Sequence, residues 1–168
     1  MSIKLRDWKI EDAPDLAKAL NNKNILDKLR DGIPYPYTHK DAEDFIRATL
    51  NADKYMQHVF AIEHGEKAIG CMGVFRQDNI HRFSGELGYY IAEPHWGKGL
   101  MTASIRQMCA HVFENTDMVR IFAQPFDSNQ ASCRVLEKAG FQLEGILRKN
   151  AIKNGEIMDM RMYALTKA

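Results

Sequence analysis

Cysteine is scarce in this sequence, with only Cys71, Cys109 and Cys133 among 168 residues. Their odd number and wide separation argue against a disulfide framework and are typical of a reducing compartment. No C-x-x-C spacing is present, so the sequence predicts no metal site. Apolar runs fall short of the roughly 18 residues that a membrane span requires. The first residues, MSIKLRDWKIED, carry charges where a secretory signal would be apolar. We therefore expect a cytoplasmic protein with no membrane association.

An excess of either charge is also lacking. The chain has 23 Lys and Arg against 22 Asp and Glu, which gives a net charge of +1. Such a balance provides no field that would attract nucleic acid, and we expect no nucleic-acid partner. Repeats, low-complexity tracts and linkers are absent from the sequence. The length and the 45% apolar content predict one soluble domain over residues 1–168.

The hydrophobic pattern predicts helices inserted among strands. Helical periodicity or capping signals mark about 13–21, a segment that begins after Thr38, 100–115, and a segment from Asn129 that ends at Gly140. Asp12 is the predicted cap of the first helix. The strand-like segments are IKLRDW, HVFAIE, KAIGCMGVF, FSGELGYYI, MVRIFAQPF and, around the turn KNG, residues 141–149 and 156–165. This order predicts a mixed sheet of six or seven strands, of the α/β or α+β class.

The segment YYIAEPHWGKGLMTA places a lysine between two glycines where a strand gives way to a helix. Gly97 and Gly99 allow the backbone to approach a ligand closely, and the helix that follows starts with free N–H groups. Such a helix start binds phosphate or pyrophosphate, and Lys98 would add positive charge. A plain strand-to-helix turn with a solvated lysine explains the residues equally well. A Walker A loop is excluded, and so is G-x-G-x-x-G, because Thr102 holds the place of its third glycine.

The same segment resembles the acyl-CoA loop of the GNAT N-acetyltransferases, in which [QR]-x-x-G-x-[GA] opens a helix after a strand. Trp96 and Met101 depart from that pattern in a way that resembles the Rim-type branch, the ribosomal-protein alanine acetyltransferases. A second block, NQASCRVLEKAGF, resembles the family pattern N-x-x-[AS]-x-x-x-x-x-K-x-G-F. The resemblance implies the GNAT fold, with a mixed, mostly antiparallel sheet of six to seven strands flanked by about four helices.

The resemblance also implies a set of acetyl-CoA contacts. Asn129 would bind the pantetheine arm, or it would only begin a helix. Tyr89–Ile91 would be splayed by a bulge and would pair with that arm like an added strand. An amide near Tyr90 or Ile91 would polarise the thioester carbonyl. The pyrophosphate loop would consist of Trp96, Gly97, Lys98, Gly99, Leu100, Met101 and Thr102.

Acetyl transfer to an amine needs a proton acceptor for the ammonium and a donor for the departing thiolate. Glu86, just before the implied bulge, is the candidate base, with a salt-bridged strand carboxylate as the alternative. Many family members have a tyrosine acid where this chain has Leu136, and the Rim-type branch suggests Ser132 instead. A helix-capping hydroxyl is the alternative for Ser132. Rim-type enzymes carry a glutamate where this chain has Ala151, and the loss of that carboxylate favours Glu86 as the base.

Tyr35 and Tyr37 each follow a proline in the loop that, in the family, walls the acceptor site, although a rigid surface turn is an equal explanation. The hypothesis is an acyltransferase that moves the acetyl group of acetyl-CoA directly to a primary amine, either a protein N-terminus or a small molecule. A non-catalytic acyl-CoA-binding module of the same fold is the first alternative, and an interaction domain that binds no CoA is the second. No metal is implied, and assembly as a homodimer is left open.

Overall fold

Seven strands form one sheet in the computed structural model, which describes residues 2–168. The strands are β1 (Lys4–Arg6), β2 (Gln57–His64), β3 (Lys67–Arg76), β4 (Ser84–Ile91), β5 (Arg120–Ala123), β6 (Gln142–Lys153) and β7 (Glu156–Thr166). The helices are α1 (Ala13–Leu20), α2 (Lys23–Leu26), α3 (His39–Leu50), α4 (Leu100–Asn115) and α5 (Gln130–Lys138). The predicted mixed sheet is confirmed, with five helices rather than about four.

The strand order is β1-β2-β3-β4-β5-β7-β6. Within residues 2–168 every neighbouring pair is antiparallel except β4 and β5, which run parallel. A parallel pair cannot be joined by a tight turn, and here the connection from β4 to β5 is the long helix α4. This crossover places the start of α4 directly after the end of β4.

Local sequence explains the two long hairpins. Gly65 and Glu66 join β2 to β3 with φ values of +59° and +65°, and Asn154 and Gly155 join β6 to β7 with +51° and +79°. Two successive residues with positive φ form the turn whose twist matches that of the strands, and Asn-Gly is its most favourable sequence. The chain departs from the sequence prediction by continuing β6 up to this turn, four residues beyond the predicted end at Lys149.

The sheet has a hydrophobic core on each face. Helices α4 and α5 cover one face, where Leu87 and Ile91 of β4 pack against buried residues of α4 such as Ile105. Helices α1 and α3 cover the other face, where Trp8 and the β4 residue Tyr90 pack in the same hydrophobic cluster. The predicted alternation along β4 is therefore present, with Leu87 and Ile91 on one face and Tyr90 on the other. Strand β4 reaches both layers and lies at the centre of the sheet.

Two helix starts illustrate how far capping could be predicted. Thr38 and Asp41 form the capping box of α3, in agreement with the sequence. Asp12 precedes α1 as predicted, but its carboxylate makes no capping bond. It accepts hydrogen bonds from the guanidinium of Arg6, at 2.8 and 2.9 Å, and from the N–H of Lys9 at 2.9 Å. The capping prediction for Asp12 is wrong because the half-buried guanidinium of Arg6 lies within reach of its carboxylate.

No helix within residues 2–168 combines the length and the apolar character that crossing a bilayer requires.

Candidate active site

Strands β4 and β5 separate part of the way along the sheet. Their parallel pairing ends at Glu86 and Phe122, whereas β4 continues in register with β3 as far as Ile91. A cleft of about 520 Å³ opens in the gap. Its lining combines the start of α4, the start of α5 and the segment 28–30 from the opposite face of the sheet. The cleft therefore connects the two faces of the sheet.

Backbone groups of β4 point into this gap. Ala92 donates its N–H to Ile69 of β3 at 2.7 Å, and Phe83 accepts from Val119 on the β5 side at 2.9 Å. Because successive residues of a strand direct their backbone groups to alternate sides, those of Leu87, Tyr89 and Ile91 face the β5 side. Beyond the last β4–β5 pair, no strand is present there to receive them.

Two details of the implied cofactor contacts need correction. The register between β3 and β4 is continuous from Gly70–Ile91 to Arg76–Gly85, so these residues contain no bulge. The strands separate because β5 stops, whereas β4 keeps its course. The amide of Tyr90 belongs to the ladder with β3, opposite Cys71. Ile91 and Tyr89, rather than Tyr90, direct their amides into the cleft.

The glycine-lysine-glycine turn forms the other side of the cleft. Gly97 and Gly99 have φ values of +73° and +75°, which a residue with a Cβ adopts only with strain. Nothing lies within 4 Å of where a Cβ would stand at either glycine, so the approach to the backbone is open. Gly99 begins α4 without a side-chain cap. The first N–H groups of α4 thus have no acceptor within the helix, an arrangement of the kind that attracts anions, and Lys98 lies next to them.

Trp96 anchors this turn to the end of β4. Its indole N–H donates to the carbonyl of Ile91 at 2.8 Å, and the Nζ of Lys28 lies 4.6 Å from its ring centroid. The indole therefore ties the glycine turn to both β4 and the α2 side of the cleft. This contact accounts for a tryptophan where the family pattern has Gln or Arg. The sequence identified the departure but not the role.

Glu86 lines the cleft, on the same face of β4 as Gly88 and Tyr90. Its carboxylate accepts two hydrogen bonds from the guanidinium of Arg30, one of them at 3.0 Å between Nη1 and Oε1. The Glu86 side chain is 17% exposed and the Arg30 side chain 66% exposed. The salt-bridged alternative for Glu86 is thus present, with a partner that the sequence did not identify.

Ser132 lies on the first turn of α5, across the cleft from β4. Its hydroxyl is hydrogen-bonded to the phenol of Tyr89, 2.5 Å away. The capping oxygen of this helix belongs to Asn129, which accepts from the N–H of Ser132 at 3.3 Å. Ser132 therefore does not cap the helix through its hydroxyl, whereas the helix-start alternative for Asn129 is present. Leu136, at the place of the family tyrosine, is fully buried in the core.

Burial raises the pKa of the Tyr89 phenol well above its ordinary value, and the bond to Ser132 offsets this only in part. The phenol is consequently a proton-bearing group at neutral pH. Sequence analysis placed Tyr89 at the site through its backbone alone. No sequence signal connects its side chain to Ser132, which is 43 residues away.

The structure brings most of the predicted residues together and separates two from them. Glu86 and Ser132 line the cleft, and so do all eleven predicted cofactor-binding residues: Tyr89, Tyr90, Ile91, Trp96, Gly97, Lys98, Gly99, Leu100, Met101, Thr102 and Asn129. Tyr35 and Tyr37 do not line it. Tyr37 is only 7% exposed and packs in the α1–α3 core, where burial raises its pKa to about 12. Tyr35 is 52% exposed and lies beneath Lys23. Within residues 2–168, no cluster of His, Cys, Asp and Glu has the arrangement of a metal site.

Known proteins with this architecture are numerous. The chain is 35% identical over 102 residues to the uncharacterized N-acetyltransferase YoaA of Bacillus subtilis, a match that covers 61% of this chain and 57% of that protein. It spans between 55% and 59% of the length of the first three curated relatives that it matches. The ribosomal-protein-serine acetyltransferase of Escherichia coli is 26% identical over 106 residues, which cover 63% of this chain and 59% of that protein.

Among solved structures, the ribosomal L7/L12 alpha-N-protein acetyltransferase RimL in complex with coenzyme A superposes with a TM-score of 0.88 at 23% identity, covering 99% of this chain and 95% of that one. At this identity the likeness shows the fold, and the Rim-type names agree with the resemblance in the sequence. The acetyltransferase (GNAT) domain matches residues 2–142. This match spans most of the chain and includes the split strands, the glycine turn and α5, so the protein belongs to the GNAT acetyltransferase family.

Proposed function

We propose that this protein is an N-acetyltransferase that moves the acetyl group of acetyl-CoA directly to a primary amine. The observation that carries the proposal is the gap between β4 and β5, which opens one cleft to both faces of the sheet. One side of the cleft offers an anion-binding helix start and the other a carboxylate, Glu86. Two substrates can therefore meet in the gap from opposite faces. The N-acetyltransferase names of the relatives support this reading.

The residues present fit acetyl-CoA. Its pyrophosphate would lie against the first N–H groups of α4, where Gly97 and Gly99 leave the backbone open. Its pantetheine amides would pair with the backbone of Tyr89 and Ile91, as an added strand would. This pairing directs the thioester toward Glu86 and Ser132, which line the same cleft. Asn129 keeps its side-chain oxygen on α5 and has its amide group left to donate.

The chemistry is one displacement at the thioester carbonyl. Glu86 accepts a proton from the ammonium, directly or through water, and the freed nitrogen forms a bond to the carbonyl carbon. The amide of Ile91 or Tyr89 stabilises the negative oxygen that results. The carbon–sulfur bond then breaks as the nitrogen gives its second proton to water, and the thiolate leaves with a hydrogen bond from Ser132 and takes a proton from the surrounding water.

A non-catalytic acyl-CoA-binding module is the second candidate, and the ion pair between Glu86 and Arg30 is the observation that favours it. Both oxygens of the carboxylate are hydrogen-bonded to Arg30, so an amine must first displace the guanidinium. The two candidates differ in one measurable product, because only the enzyme releases free CoA thiol in the presence of an amine.

The test is a panel of amines with acetyl-CoA, read by thiol release, alongside a thermal-shift titration with acetyl-CoA. We expect a raised melting temperature and thiol release with at least one amine. A thermal shift without thiol release from peptide N-termini, amino acids or polyamines would favour the binding module. The absence of both would refute the cofactor site. We also expect a single domain located in the cytoplasm, and light scattering would decide whether it is a homodimer.

A further inference from the structure

The ion pair at the acceptor end of the cleft is bidentate. Arg30 donates from both terminal nitrogens to the two oxygens of Glu86, across 56 residues of sequence. The pair is asymmetric, because the carboxylate is 17% exposed and the guanidinium 66% exposed. Glu86 is fixed on the central strand β4, whereas Arg30 projects from the segment between α2 and α3. Arg30 can therefore turn aside without loss of core packing, and Glu86 cannot.

An ammonium that reaches Glu86 must displace this guanidinium. If the acceptor carries positive charge alone, the displaced Arg30 is left unpaired beside a second cation, which is unfavourable. If the acceptor carries a carboxylate a few bonds from its amine, the ammonium takes Glu86 and the carboxylate takes the fork of Arg30. Both protein charges then keep a partner, and the bidentate geometry is preserved.

The charges around the cleft also favour an acceptor that carries a carboxylate. A second cavity of about 290 Å³ shares Arg30, Gln124, Phe126 and Met160 with the cleft and extends toward the β6–β7 hairpin. The carboxylates that line the two cavities are Glu86 and Asp31. Asp31 is already bound to Lys153, at 2.9 Å. A polyamine carries two or more ammonium groups, and this lining offers them no free carboxylate beyond Glu86.

The second cavity also offers space for an apolar group. Phe126, Ala151, Ile152 and Met160 contribute to its lining. The hairpin is held over it by the Lys153–Asp31 pair and by a bond from Asn154 to Asp27 at 3.0 Å. An acceptor with an apolar side chain next to its amine and carboxylate would fill this space.

We propose that the acceptor of this enzyme is zwitterionic, with its amine on Glu86 and its carboxylate on Arg30. This inference rests on the proposed acetyl transfer and names its substrate class. A free α-amino acid has this chemistry, and so does a peptide N-terminus followed by an acidic residue. Arg30 is then the residue that determines acceptor specificity.

The test compares leucine with leucinamide, which differ only in the carboxylate. In the wild type, kcat/KM for thiol release should favour leucine over leucinamide. In Arg30→Gln that preference should shrink by roughly 10- to 100-fold, the worth of a hydrogen bond to a charged group. The intrinsic difference in amine basicity cancels when the two proteins are compared. Arg47→Gln is the matched control, because Arg47 is 59% exposed and pairs with Glu43 on α3, away from both cavities.

Further acceptors distinguish a free amino acid from a peptide N-terminus, and both of these from a polyamine. The peptide amides Ala-Glu-Ala and Ala-Gln-Ala decide between a free amino acid and a peptide N-terminus with an acidic second residue. A preference for either carboxylate probe that Arg30→Gln removes supports the proposal. Equal use of acid and amide by the wild type would overturn it, and so would a faster reaction with spermidine than with every carboxylate probe.

Acceptor binding can be measured separately from acetyl transfer. Calorimetric titration of leucine and leucinamide into the protein with CoA measures the same preference without turnover. Tighter binding of leucine that depends on Arg30, with no thiol release from any amine, would keep the zwitterion site and refute the transferase. Thiol release without any preference for the carboxylate would keep the transferase and refute the zwitterion site.

Discussion

Removal of the Ser132 hydroxyl should slow acetyl transfer in kcat and leave the fold intact. The hydroxyl lies in the cleft and is bonded to the Tyr89 phenol, while the start of α5 is capped by Asn129. In the proposed reaction, Ser132→Ala therefore removes the donor to the departing sulfur, and it removes no helix cap. Asn129→Ala is the stability contrast, because it removes the cap itself and should lower the free energy of unfolding by about 1 kcal/mol.

The expected size follows from the acidities involved. A thiol has a pKa of about 8.5 and a tyrosine about 10, and burial raises the pKa of Tyr89 further. Full transfer of the phenol proton to the thiolate is therefore uphill by more than about 2 kcal/mol, the equivalent of about 1.5 pKa units. The pair acts by hydrogen bonding to the developing charge, and loss of one such donor costs up to about 3 kcal/mol. We expect kcat to fall roughly 10- to 100-fold, since water can enter the cleft and replace part of the bond.

Tyr89→Phe completes the experiment. Tyr89 acts through Ser132, so its loss should cost about 1 kcal/mol, or roughly fivefold in kcat. The double variant should be no slower than Ser132→Ala alone, because both changes interrupt one chain. Thiol release at saturating substrates measures the three rates, and thermal melting checks the fold. The ratio of wild type to Ser132→Ala should stay constant between about pH 6 and pH 9, because a phenol with a raised pKa does not titrate there. Full activity in Ser132→Ala, or effects of the two changes that simply add, would refute the reasoning.

Three other outcomes are expected. Gly99→Val should abolish acetyl-CoA binding by calorimetry without unfolding the protein, because Gly99 has a φ of +75° and its backbone faces the cleft; unchanged affinity would remove the turn from the site. Glu86→Gln should lower turnover roughly 100-fold with acetyl-CoA affinity close to wild type; if turnover hardly changes, the base is elsewhere. Asp12→Asn should destabilise the fold by about 1–3 kcal/mol in denaturant titration, because it leaves the half-buried Arg6 guanidinium with Glu63 as its one remaining carboxylate partner. Burial acts to raise the pKa of Asp12, but the bonds from Arg6 and Lys9 outweigh it and hold the pKa below its ordinary value. This stabilisation is therefore complete above about pH 4 and is lost as the pH falls through the folded-state pKa, so the two proteins should converge in acid.

The elements predicted well from sequence are those with a local code. The capping box at Thr38 and Asp41 lies within four residues of chain, and the Asn154–Gly155 turn is set by two. The periodicity of α4 gave its bounds because the helix buries one continuous stripe against the sheet. The glycine turn was found for the same reason, since its positive φ values call for specific residues over three positions.

The pairs that complete the site have no such code. Arg30 and Glu86 are 56 residues apart, and Tyr89 and Ser132 are 43 apart, so only the folded sheet brings them together. For Tyr37, in contrast, the sequence suggested a role at the site that its buried position does not match. Its place directly after Pro36 suggested an exposed turn or a site wall, but the ring is buried in the α1–α3 core. Local sequence predicts the backbone conformation of such a loop more readily than it predicts which side chains the loop buries.

The topology explains why the site lies at this point of the sheet. One parallel pair in an otherwise antiparallel sheet needs a crossover helix, and a crossover that starts where β4 ends must direct its first N–H groups toward the end of that strand. Strand β5 is only four residues long and is followed at once by Gln124 and Pro125, the second of which cannot donate to a ladder. The longer strand β4 therefore extends past β5 with backbone groups that no strand pairs, next to a helix start whose first N–H groups have no acceptor within the helix. A ligand with an anionic end and a peptide-like arm satisfies both sets of groups at once, and Trp96 fixes their separation by joining the turn to Ile91.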